Sequence, residues 1–216
     1  VRRILKQILT IENGIYRLMV ELLYGTGMRL MECCRLCVKD IDFSRNQIVV
    51  REGKGDKDRA VPLPRKCRDR LRKQVEAVRA LHANDRAAGF GAVWLPFALR
   101  EKYPNAEREL AWKWLFPSQR ISRDPRDPDA PPRRHHIHEN SLQKAMKRAV
   151  DASGIQKPAS CHTLRHRFAT HLLEAGHDIR TVQELPGHNE VQTTMIYTHV
   201  MESGPLGVRS PVDMMW

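Results

Sequence analysis

Apolar residues Ile15, Leu18, Met19, Leu22 and Leu23 keep the i, i+3, i+4, i+7, i+8 spacing of one helix face, which the glycines of YGTGMR then stop. A second short helix is expected from Arg29. The period then shortens. DIDF and QIVVRE have strand composition, GKGDKD is turn chemistry, and RAVPLP returns as another strand. This predicts a small antiparallel sheet with Lys54 and Lys57 at a hairpin tip. From Pro64 to about Ala88 a long helix is expected, with eight basic and three acidic residues on a mostly solvated surface.

Between 89 and 135 the pattern is least legible. WLPFALREKYPNA and ELAWKWLFPS hold every tryptophan but Trp216, yet prolines interrupt their periodicity. RDPRDPDAPPRRHH reads as a polar, proline-rich loop and the best candidate for local disorder. Helical spacing resumes with Leu142, Ala145, Met146, Ala149 and Val150 and ends near Gly154. HTLRHRFATHLLEAG then places Leu164, Phe168, Leu172 and Leu173 on one side, with Gly176 as its stop. IRTVQEL and VQTTMIYTHV complete a set of short helices, and no internal repeat is visible. The fold class is α+β, mainly helical, with a small antiparallel sheet of about three strands at the edge of a helical bundle.

Charge narrows the partner. In 216 residues, 37 Lys plus Arg face 25 Asp plus Glu, a formal net charge of +12. That balance favours a polyanion, nucleic acid ahead of an anionic membrane. No apolar run approaches the roughly 20 residues of a spanning helix, and VRRILKQILTIENG lacks the features of a signal peptide, so no membrane partner is expected. Five cysteines, Cys33, Cys34, Cys37, Cys67 and Cys161, form no disulfide framework and suit a reducing, cytoplasm-like compartment. Cys34 and Cys37 form a CxxC, and His135, His136 and His138 cluster, but no second ligand pair follows at finger-like spacing. Neither a metal nor another cofactor is expected.

Some residues suggest chemistry only in company. Tyr197 alone reads as a packed aromatic with a wet hydroxyl. His162 and Arg165, three apart, share a polar helix face opposing the leucines, and in isolation they read as an exposed pair. A phosphodiester gains negative charge in its transition state, which calls for fixed donors such as two arginines and a histidine. A phenol of pKa ~10 needs help to lose its proton, and the departing alkoxide needs one. Arg29, Arg165, His188, Tyr197 and Lys54 would fill those roles.

The ordered set resembles the catalytic domain of the tyrosine recombinases, the phage integrase, Cre and Xer family. GTGMRLMECCRL is similar to that family's first arginine box, with Arg29 as the phosphate-binding arginine and Glu32 as its supporting acid. REGKGDKDRAVPLP resembles the strand–turn–strand segment, which puts Lys54 at the position of the mobile catalytic lysine, with Lys57 as runner-up. HTLRHRFATHLLEAG resembles the second box, with His162 and Arg165, and PGHNEVQTTMIYTH the third, with His188 and the nucleophile Tyr197. The resemblance implies metal-free strand cleavage and rejoining through a 3′-phosphotyrosyl intermediate, with a homo-tetramer on DNA in the full-length enzyme, in a bacterial cytoplasm. It also implies a catalytic domain over residues 1–200, a tail over 201–216 that docks to a neighbour, and an N-terminal core-binding domain absent from this chain.

Within the family the chain is most similar to integron integrases. VKDIDF, the insertion LREKYPNAERELAWKWLFPS and RRHHIHENSLQKAMKRAV carry that likeness, and the insertion and loop span 89–135. The likeness implies cassette integration and excision on duplex or folded single-stranded sites. It makes Trp94, Trp112, Trp114, His135, His136 and His138 candidates for contact with unpaired bases, against the alternative that the tryptophans are core. Lys57, Arg59, Arg133, Arg134 and Arg167 are further candidate DNA contacts. Two positions depart from the family: Pro186 stands where leucine is usual before Gly-His, and Arg167 where serine is common. A non-catalytic DNA-binding remnant and a type IB topoisomerase-like relaxase are the rival readings. A zinc nuclease built on the histidines would lose activity to a chelator.

Overall fold

The computed structural model describes residues 14–51, 58–124, 129–154 and 159–178. Helix α1, Gly14–Thr26, is the hub: Leu18, Met19, Val20, Leu22, Leu23 and Thr26 are all buried. It packs against α2 (Leu30–Cys34), α3 (Arg68–Ala87), α5 (Glu139–Ala152) and α6 (Cys161–Glu174). Burial on so many sides is why its face is wider than a surface helix needs. At its end Thr26 Oγ1 donates to the Leu22 carbonyl at 2.7 Å, and Gly27 turns the chain at φ +66°. A side chain at Gly27 would be strained in that conformation, and its Cβ would lie 2.3 Å from the Phe168 ring.

The three-stranded sheet expected from the sequence forms in the order β1 (Ile41–Asp42), β2 (Gln47–Val50), β3 (Arg59–Pro62), antiparallel throughout. Ile48 faces Val61 and Val50 faces Arg59 across β2 and β3. Ile48, Val50 and Val61 are buried, so alternation fixes which face meets the core. A 3₁₀ turn, Arg65–Cys67, leads into α3, the expected long helix, whose Leu71, Val75 and Val78 are buried along one stripe. Arg70 on α3 pairs with Glu21 on α1.

Residues 89–116 form an appendage with its own apolar cluster, Val93, Leu95 and Ala106, with Leu99 and Trp112 against it. It contains α4 (Phe97–Lys102) and two 3₁₀ turns, Ala106–Arg108 and Leu110–Trp112. Leu115 and Phe116 then return the chain to the main core, both fully buried.

The last four residues of the expected proline-rich loop are a strand, paired with the residues just before that loop, while 125–128 lie outside the described residues. β4 (Pro117–Ser122) pairs antiparallel with β5 (Arg133–His136), with a register irregularity between Pro117 and Ile121. No apolar alternation marks these strands. They are held instead by the buried residues at their base, where the Ile137 N–H donates to the Phe116 carbonyl at 2.8 Å, and by Arg134. Among the described residues no helix is long and apolar enough to cross a membrane.

Candidate active site

Arg29 stands at the turn between α1 and α2, two residues after Gly27. Glu32, one turn on, reaches back to it. Its Oε2 accepts the Arg29 backbone N–H at 2.7 Å, and its Oε1 accepts Arg29 Nη1 at 2.6 Å. The same carboxylate receives Arg59 from β3, Nη2 on Oε2 at 2.6 Å and Nη1 on Oε1 at 3.1 Å. Burial pushes the Glu32 carboxyl up, but the Arg59 hydrogen bonds, the Arg29 N–H and the Arg59 charge together hold it below its ordinary value. Glu32 is therefore a fixed anion between two arginines, 8% exposed against 32% for Arg29.

Arg165 does not lie on a wet face, contrary to the exposed-pair reading. It is 6% exposed, and its Nη1 donates to the Gly27 carbonyl at 2.9 Å. The face it shares with His162 turns over within one helical turn: His162 is exposed, Arg165 is buried against the Gly27 turn, and Phe168 packs on Gly27 itself. His162 stacks edge-on against His166 with ring centroids 4.3 Å apart. Burial first, then the charges of His162, Arg165 and Arg167, push the His166 imidazole down. Farther along α6, His171 Nδ1 and Tyr24 Oη are hydrogen-bonded at 2.6 Å, a second tie between α6 and α1. So the first and second arginine boxes meet through a carbonyl. Lys54, Lys57, Pro186, His188 and Tyr197 lie outside the described residues.

The phage integrase family model matches residues 1–203. This chain belongs to the phage integrase family. It is 52% identical over 207 residues to an "Integrase/recombinase" of Escherichia coli, covering 96% of this chain and 61% of that protein. It is 40% identical over 187 residues to "Tyrosine recombinase XerC 2" of Ralstonia nicotianae, covering 85% of this chain and 42% of that one. The chain thus spans less than two thirds of the length of these relatives. Among solved structures, XerA recombinase superposes with TM-score 0.64 at 28% identity, covering 94% of this chain and 59% of that one. The catalytic domain of bacteriophage HP1 integrase shares the fold at TM-score 0.56 and 19% identity, covering 94% of this chain and 88% of that one.

Several candidate DNA contacts of this family member are turned inward. Arg59 is 13% exposed and committed to Glu32. Arg134 forks onto Asp85 of α3, Nε and Nη2 each at 2.6 Å, and its Nη1 donates to the carbonyls of Ser118 and Gln119. Its donors are spent on holding the β4–β5 hairpin to α3. His136 is half-buried, with Nδ1 against the Ile137 carbonyl at 2.8 Å and its ring edge-on to Trp114. His138 caps α5 by accepting the Asn140 N–H. Arg133, His135 and Arg167 are half-buried, and Arg133 Nε and His135 Nε2 are buried without a partner. Of the tryptophans, Trp94 is 38% exposed, whereas Trp112 lies under Lys39 Nζ and beside Tyr103. No cluster of three metal-ligating side chains occurs among the described residues.

Asp85 and Lys113, outside the sequence-based set, and Arg59, inside it as a candidate DNA contact, prove structural. Asp85 falls on the apolar stripe of α3, seven residues after Val78, and a carboxylate there signals a buried partner. Arg59 shares a strand face with buried Val61, two residues on, which is the same kind of signal. Lys113 is buried, donates to the Gly91 and Glu107 carbonyls at 2.5 and 2.6 Å, and is pushed down to about 8 by burial. It fastens the appendage to itself. An open pocket of about 310 Å³ beside it, between Leu81, Phe90 and Trp114, contains no residue of the arginine boxes.

Proposed function

We propose that this chain carries the catalytic centre of a site-specific recombinase, which cuts and rejoins DNA strands through a 3′-phosphotyrosyl link. The observation that carries this is the buried Arg165 held on the Gly27 carbonyl, two residues from Arg29, so that two fixed cations converge on one turn. In this reading Arg29, Arg165 and His188 hold the phosphate oxygens. The Tyr197 oxygen bonds to phosphorus as its proton passes to His162, and the P–O5′ bond breaks as Lys54 protonates the departing oxygen. Attack by a 5′-hydroxyl reverses these steps and needs no nucleotide cofactor. XerH has been solved with its difH substrate in a post-cleavage complex, which supports DNA as the partner here. The test is a suicide DNA substrate and denaturing electrophoresis. Wild type should give a covalent adduct that Tyr197→Phe lacks; no wild-type adduct, or one that persists in the variant, defeats the reading.

The finer reading is cassette integration and excision of the integron type, in a bacterial cytoplasm, by a homo-tetramer whose subunits also carry a core-binding domain. The appendage supports it: beside its small apolar cluster it exposes Trp94 and Phe97, at 38% and 74%, two aromatic rings suited to stacking. Comparing adduct yield on a folded hairpin site with bulged bases and on the matching duplex tests it. A preference for the hairpin that falls on Trp94→Ala is expected, and equal yields from both sites count against it.

A further inference from the structure

Glu32 has a contact arrangement that its role as a neighbour of Arg29 does not explain. Each of its oxygens accepts one bond from Arg29 and one from Arg59, four in all. A carboxylate offers about four lone-pair positions, so Glu32 is saturated. Arg59 reaches it from β3, 27 residues away, and brings the base of the β2–β3 hairpin with it. The other side of that base has its own staple, on an Asp40 that is 3% exposed. Arg51 bonds Asp40 at 2.6 Å and Asp58 at 3.1 Å, with Arg51 and Asp58 about half exposed to solvent and its screening.

We propose that Arg59 is a positioning residue for the phosphate site. By filling one acceptor position on each Glu32 oxygen, it confines the carboxylate to a single arm of Arg29, Nη1, and locks the hairpin base to the turn that carries Arg29. The inference rests on reading Arg29 as a phosphate-binding group. Without Arg59, the two vacated positions lie beside the Arg29 guanidinium, and a fork-to-fork pair with Glu32 becomes its best geometry. Such a pair competes with phosphate for the same donors. The hairpin base also loses its tie to the turn that carries Arg29.

The test uses the full 216-residue chain as wild type, Arg59→Gln, Arg59→Lys and the double variant Arg59→Gln with Glu32→Gln. Adduct formation on a suicide duplex is timed at saturating DNA, and the dissociation constant is measured at several salt concentrations. Arg59→Gln should slow the saturated rate by roughly 10- to 100-fold, the scale of a small misplacement of a reacting group. Its dissociation constant should stay within about twofold and its salt slope nearly unchanged, because Arg59 itself touches no phosphate and the weakened Arg29 contact is one among several. Arg59→Lys should fall between, and adding Glu32→Gln should recover part of the rate by removing the competing carboxylate. An unchanged saturated rate, a lower salt slope with the rate kept, or no recovery in the double variant overturns the proposal. If circular dichroism shows Arg59→Gln unfolded, Arg59→Lys carries the test: a slower saturated rate at unchanged affinity supports it, and an unchanged rate sinks it. Absence of any wild-type adduct instead defeats the recombinase reading.

Discussion

Glu32 is held below its ordinary value of 4.5 because Arg59 and Arg29 outweigh the cost of burying it. A carboxyl whose folded value is depressed stabilises the fold above its unfolded value, and that contribution is lost as pH falls through the folded one. The stability gap between wild type and Glu32→Gln should therefore be constant from pH 7 to about 4.5 and narrow below it, as urea unfolding across that range would show. A gap that does not narrow means Glu32 gains nothing from its ionised partners. Arg134 gives a second case. Arg134→Met strands Asp85, whose side chain is 11% exposed, and should cost about 3–5 kcal/mol, most of it recovered by adding Asp85→Asn. Denaturant unfolding of the two single variants and the double variant measures the recovery. Both arginines read as DNA contacts in the sequence because a charge there has no visible partner. Their acids lie 27 and 49 residues away, and only the apolar company of Arg59 and Asp85 on their own elements hints at burial.

The contact between α6 and the end of α1 depends on one glycine. Gly27→Ala forces a Cβ into the left-handed region at φ +66° and against the Phe168 ring, and should lose about 2–4 kcal/mol by chemical denaturation. Ser160→Ala, which removes a side chain accepting the Thr163 N–H at the start of α6, should lose only about 1 kcal/mol. A Gly27→Ala loss no larger than the cap's would mean that α6 can shift off the turn at little cost. The elements themselves were legible wherever packing repeats: the apolar face of α1 and the strand composition of β2 and β3 appear directly in the residue pattern. The β4–β5 hairpin was not, because its strands bury little and are held by Arg134 and by the residues at their base. Arg165 was misread for a related reason. Its partner is a backbone carbonyl 138 residues earlier, which no side-chain pattern announces.

The formal charge of +12 describes a field, while the fold decides which cations remain for a polyanion. Arg51, Arg59, Arg70 and Arg134 each have an acidic partner within the chain, whereas Arg29 gives Glu32 one arm and stays 32% exposed. DNA affinity should fall linearly on a log scale with salt, by about 0.9 per phosphate neutralised, so contact with about six phosphates loses roughly three orders of magnitude between 50 and 200 mM. The slope tests the sorting of individual cations. Arg167, half-buried on α6 and in no ion pair among the described residues, is the candidate for a direct phosphate contact, and Arg167→Gln should lower the slope by about one. Arg134→Met removes the same formal charge but no phosphate contact, so its slope should match wild type at temperatures where it stays folded. Fluorescence anisotropy on one duplex at four or five salt concentrations separates the two cases. Equal drops in slope for both variants would mean that the Asp85–Arg134 pair opens on DNA and that the hairpin it holds belongs to the binding surface.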